Sequence, residues 1–248
     1  MINERVDIEL PRSWAELDDS RLRFVYRMIS EGFAGDGLCL LCLMRWGNIE
    51  VVSKWNDGYL LRCRKREFVL SKGAVLNAAR ALEFLKEPSP LPVRISRIGR
   101  ATALTADLQG VEFKRFLFLE NLYQGFLLKQ DDRLLQQMGE LLYPKLKRHM
   151  NDAEKIGTFF WWLSLKSHFS RLWPNFYRPS ADNENLLGEK PMPLLLQEAM
   201  NAQIRALTGG DITKEETILS MDTWRALTEL DAKARECAEM EARYGKKN

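Results

Sequence analysis

Cys39-Leu40-Leu41-Cys42 places two thiols at the spacing of zinc ligands and redox dithiols. A tetrahedral zinc site needs two further ligands, and Cys63, Cys237, His149 and His168 stand at no ligand-like spacing. The neighbours Leu38, Leu40, Leu41, Leu43 and Met44 instead predict small core residues on a buried helix. The settings of Cys39, Cys42 and Cys237 suit buried, reduced thiols. A histidine base needs an orienting acid and a nucleophile. His149, behind Lys145, Lys147 and Arg148, and His168, between Ser167 and Phe169, have neither at a recognised spacing. GxSxG, P-loop, GxGxxG and HExxH patterns are missing. The chain therefore reads as non-catalytic, with no cofactor and no metal.

Gly209-Gly210-Asp211 has the look of a phosphate loop, but its glycines follow a helical stripe and an acid faces the next helix start. Helix stop, turn and helix cap is the expected reading, with Thr213 and Glu216 at capping-box spacing.

Binding surfaces are better represented. Three basic groups stand out: Arg62, Arg64, Lys65 and Arg66; Arg94, Arg97 and Arg100; and Lys145, Lys147, Arg148 and His149. Nucleic acid would need them on one face beside aromatic or polar base readers. The net charge of +3, from 37 basic and 34 acidic residues, does not call for such a partner by itself. The run from Phe159 to Trp173 is aromatic on more than one face. It predicts either a central core helix or a partner interface formed by Trp161, Trp162, Phe169, Trp173, Phe176 and Tyr177. Trp224, Leu227 and Leu230 on the last helix extend that candidate interface.

These residues must be held by a mainly helical α+β protein. Val6, Ile8 and Leu10 alternate as a short strand, and Ser13 with Glu16 has capping-box spacing. Leu22, Val25, Tyr26 and Ile29 form a helical stripe that Gly32 ends, and Leu38 to Trp46 is a second helix. Residues 49–55, 59–63 and 67–70, turning at Asn56-Asp57-Gly58, predict an antiparallel meander. Ser71 starts a helix through Leu85, and strands are expected over 93–98 and 101–106. Helices are expected over 113–128, from Asp131 or Asp132 to Pro144, and over 156–173 behind an Asn151/Glu154 capping box. The division is a mixed module over 1–92, a helical middle over 93–178, a polar linker over 179–193 and helices over 194–248. No apolar run approaches the roughly 20 residues that cross a bilayer, and the amino terminus lacks a signal-like apolar segment. A soluble, cytoplasmic protein of 248 residues is expected.

The words ELPRSWAELDDSRLRFVYRMI near the start and IRALTGGDITKEETILSMDTWRALTELDAKA near the end resemble small helical proteins of prophage tail modules, of the tail-assembly chaperone sort. That resemblance covers the two ends and implies a non-catalytic protein engaging a tail, tape-measure or baseplate partner through apolar and aromatic surfaces. Its setting would be the cytoplasm or a phage-like particle. Self-association is a further expectation, and a nucleic acid-associated accessory protein of a mobile element is the alternative.

Overall fold

A computed structural model describes residues 8–178 and 192–245. The first apolar stripe forms helix α1 (Asp19–Ser30). Asp18 accepts the Arg21 amide at 2.8 Å, and Gly32, at φ +90°, lets the chain leave. Helix α2 (Gly35–Trp46) buries Leu38, Cys39, Cys42 and Leu43. Its end feeds straight into a meander of β1 (Ile49–Trp55), β2 (Gly58–Cys63) and β3 (Arg66–Ser71), antiparallel in that order. Asn56 turns the first hairpin at φ +42°, a region asparagine tolerates. Arg64 turns the second at φ +57°, where a non-glycine residue is uncommon.

Ser71 caps α3 (Lys72–Ala79), accepting from the Ala74 amide at 3.2 Å. The helix expected to reach Leu85 stops at Ala79. Leu82 leaves helical geometry, and tighter turns carry the chain to Lys86. Of the strands expected over 93–106, only β4 (Arg97–Ile98) and β5 (Ala101–Thr102) pair. Ile8–Leu10 form no strand, and residues 1–7 lie outside the described residues. The Ser13 side chain makes no capping bond, while Glu16 reaches back to the Arg12 amide at 2.8 Å.

Helices α4 (Phe113–Lys129), α5 (Asp132–Leu142) and α6 (Asp152–Leu172) follow. Asp131 caps α5, and the Asn151/Glu154 capping box opens α6, as the sequence predicts. Helix α6 is central. Gly157 lets α1 approach so closely that a Cβ there would stand 2.9 Å from the Tyr26 ring. Other residues of α6 meet Phe116 of α4 and Tyr143, just past α5.

The chain closes with α7 (Met192–Thr208), α8 (Glu215–Leu219) and α9 (Thr223–Gly245). Gly209 and Gly210 turn at φ +65° and +85°, and Asp211 accepts the Thr213 amide at 3.0 Å. The expected stop-turn-cap joint therefore forms, with Asp211 as the cap and no Thr213/Glu216 box. Backbone bonds from Phe113 to Met221 and from Thr223 to Val111, both 2.8 Å, fasten α9 beside the start of α4. Asp231 accepts the Asn175 and Phe176 amides at 2.8 and 3.0 Å, tying α9 to the stretch after α6.

The fold is α+β and mainly α, with nine α-helices among the described residues and the small meander in the amino-terminal part. One apolar core runs from Trp14 to Leu230, so the boundary at 92/93 does not separate two cores. Of the linker expected over 179–193, residues 179–191 lie outside the described residues, and 192–193 begin α7. No helix among the described residues is long and apolar enough to cross a membrane.

Candidate functional site

Most of the expected aromatic interface is core. Trp161, Trp162, Phe169 and Leu227 are 0% exposed, and Leu230 and Trp173 are 5% and 6% exposed. Helix α6 turns its aromatic faces to α1, α4, α5 and α9 and leaves Ser167, Ser170, Arg171 and Leu172 exposed. Phe176, Tyr177 and Trp224 are half-buried rather than projecting. Trp224 meets Trp173 edge-on at 5.2 Å and donates its Nε1–H to the Asp107 carbonyl at 2.6 Å, while Phe176 and Tyr177 pack on each other at 4.9 Å.

The thiols follow the core reading with one correction. Cys39, Cys42 and Cys63 are buried, whereas Cys237 is exposed on α9. Burial pushes the Cys42 thiol up to about 12, and Cys39 donates to the Leu82 carbonyl at 3.2 Å. Low-pKa thiolates, which redox dithiols need, are disfavoured there. Among the described residues no three His, Cys, Asp or Glu side chains group as metal ligands. His168 is half-buried, and burial, helped by Arg171, holds its imidazole below the ordinary value.

The basic groups are sorted by folding. In the meander the side-chain period of two sends Arg62 to one face, where it pairs with Glu67 at 2.6 Å and Glu50 at 3.8 Å across the strands. Arg66 lies opposite Cys63, on the face that buries Leu61 and Cys63. Arg94 is spent on the Leu104 carbonyl at 2.7 Å, and Arg148 grips Glu154.

What the fold gathers instead is a basic groove between α1, the end of α2 and the β2–β3 turn. Two cavities of about 320 and 950 Å³ adjoin, sharing Arg21 and Trp46. Arg21, Arg23, Arg27 and Arg45 line the first with Phe24 and Trp46. Arg64, Lys65 and Arg66 join Arg21 on the second, beside Asn48 and Gly47. Glu9 is the sole carboxylate lining either cavity among the described residues. The Arg21 guanidinium sits over the Trp46 ring, 5.7 Å from its centroid. The side chains of Arg45, Arg64, Lys65 and Arg66 have no hydrogen-bonding or ion-pair partner among the described residues.

One wall of the groove is braced from below. Glu154, 1% exposed on its side chain, receives Arg23 at 2.9 Å and both terminal nitrogens of Arg148 at 2.8 and 2.7 Å. Its second oxygen also accepts the Asn151 amide at 3.1 Å. Burial pushes this carboxyl up, but the bonds from Arg148, the Asn151 backbone and Arg23 outweigh it and hold the group below the usual carboxylate value. The bond from Arg23 to the Arg97 carbonyl ties α1 to β4 as well.

The arginines of α1 and α2 are absent from the three groups that the sequence brings forward. A signal exists: Ser20, Arg23, Phe24 and Arg27 fall at i, i+3, i+4 and i+7, a second stripe beside the buried one. A charged helix stripe alone is ordinarily just solvated, so the signal acquires meaning only when the β2–β3 turn is seen to face it.

No protein-family model, no curated protein and no solved structure matches the chain.

Proposed function

We propose that this protein is a non-catalytic, nucleic acid-associated accessory protein of a mobile element, holding a phosphate backbone in the basic groove. The observation that carries the reading is the convergence of unpaired cations from α2 and the β2–β3 turn around Arg21 and Trp46, with Glu9 as the opposing acid. Cations without internal partners keep their charge for a ligand, and a run of them along a groove matches the repeat of a polyanion.

Titrating a labelled oligonucleotide at several salt concentrations tests this. The affinity is expected to fall linearly on a log–log plot against salt, and the exposed triple variant Arg45→Ala, Lys65→Ala, Arg66→Ala flattens the slope by about 3, roughly one per contact removed. Absence of binding at low salt, or an unchanged slope in the variant, would sink the reading.

A second reading keeps the tail-assembly role implied by the resemblance of the chain's ends, in the cytoplasm or a phage-like particle. It is supported by Trp55 and Val69, which stand 56% and 49% exposed on the meander face away from the core. Co-expression with a tape-measure or tail-tube protein is expected to give a complex that a Trp55→Asp, Val69→Asp variant loses. A complex equally stable in the variant would remove this surface from consideration.

A further inference from the structure

We infer, building on the nucleic acid reading of the groove, that its ligand is a single strand, with one unpaired base stacked on the platform made by Arg21 and Trp46. The two groove segments differ in what they offer. The β2–β3 turn supplies Arg64, Lys65 and Arg66, which are exposed cations suited to phosphates. The junction of the cavities supplies two planar groups, the Arg21 guanidinium and the Trp46 ring, with 5.7 Å between the guanidinium carbon and the ring centroid. Phe24, half-buried, lines the smaller cavity beside it.

Arginine planes and aromatic rings are the surfaces on which unpaired bases are read, and the junction offers one of each. In a duplex both faces of each interior base are already covered by neighbouring bases, so such a platform at the junction of two cavities would go unused. A single strand uses both parts: phosphates along the turn, and a base carried inward to the junction. The cavity volumes of about 320 and 950 Å³ are in the size range of sites that enclose a nucleotide-sized group.

The test compares single-stranded and duplex oligonucleotides of matched charge by fluorescence anisotropy, using the full chain. Stronger binding of the single strand is expected. Arg21→Lys keeps the charge and removes the plane, so it should weaken single-strand binding roughly 5-fold or more while leaving the salt slope unchanged. Trp46→Leu should weaken it roughly 5- to 150-fold, the effect of losing one base stack, in protein whose unfolding midpoint is checked alongside. Because Trp46 also packs on the core, Arg21→Lys decides if Trp46→Leu fails to fold. Equal affinity for duplex and single strand, or an Arg21→Lys variant indistinguishable from the parent, overturns the single-strand assignment and leaves the nucleic acid reading standing. Failure of both oligonucleotides to bind at low salt overturns the two together.

Discussion

Glu154→Ala is expected to cost about 2–4 kcal/mol of folding stability, from the lost bond to the Asn151 amide and the lost charge-assisted bonds of two arginines that, 36% and 48% exposed, can turn to water. The carboxylate is where three parts of the chain converge: Arg23 on α1, Arg148 before α6, and the capping box of α6 itself. Removing it therefore ends the side-chain half of the capping box, a bidentate ion pair and the ion pair that clamps α1 to α6 in one substitution. The Asn151 side chain still caps the helix through the backbone amide of residue 154. Chemical denaturation followed by circular dichroism measures the loss, and a variant as stable as the parent would refute this role. Glu154→Gln isolates the charge.

The pH dependence has a definite sign. The folded carboxyl sits below its ordinary value, so the unfolded chain binds the proton more readily. The stabilisation is complete above the unfolded value of about 4.3 and is lost as pH falls through the depressed folded value. The acid limb of the stability curve should accordingly be shallower in Glu154→Gln than in the parent.

Trp161→Ala is expected to destabilise by a similar about 3–5 kcal/mol, the range for deleting a large buried aromatic ring. The Trp161 Nε1–H donates to the Ala106 carbonyl at 2.8 Å, Tyr143 meets the ring edge-on at 5.8 Å, and the Arg94 guanidinium lies over it at 5.8 Å. For a chain of this length that corresponds to a melting point lower by roughly 6–20 °C. A partner-interface tryptophan would behave in the opposite way, leaving the melting point near that of the parent. Thermal unfolding of this one variant thus separates the core role from the interface expected of the aromatic helix.

The local elements were largely legible in the sequence, because their causes are local. The Leu22, Val25, Tyr26 stripe reports a helix through its own 3.6-residue period, and Asn56-Asp57 and Asn151/Glu154 fix a turn and a cap through bonds a few residues away. The glycine joint before Asp211 and the core placement of Cys39 and Cys42 belong to the same category. The misjudged stretches are those where distant contacts win. Residues 80–86 leave the helix as the chain turns on Leu82, which is fully buried, and the strands over 93–106 shrink to a two-residue pair.

Sequence alone thus determined the fold class, the meander and the caps at Ser71, Asp131 and Asn151, though not those expected of Ser13 and of Thr213 with Glu216, since periodicity and capping describe a residue relative to its own backbone. It could not say what covers a side chain. Trp161 and Trp162 have the chemistry of an interface and became core because α1, α4 and α5 close over them, and Leu227 is buried because α9 packs beside α4 and α7. The groove was equally beyond it. Arg21, Arg45 and Arg66 are far apart in the chain, and only the packing of α1 beside the end of α2 and the β2–β3 turn sums their charges into one field. The pleat decides the rest, taking Arg62 out of the basic run to pair with Glu50 and Glu67 and leaving Arg66 on the face of Cys63.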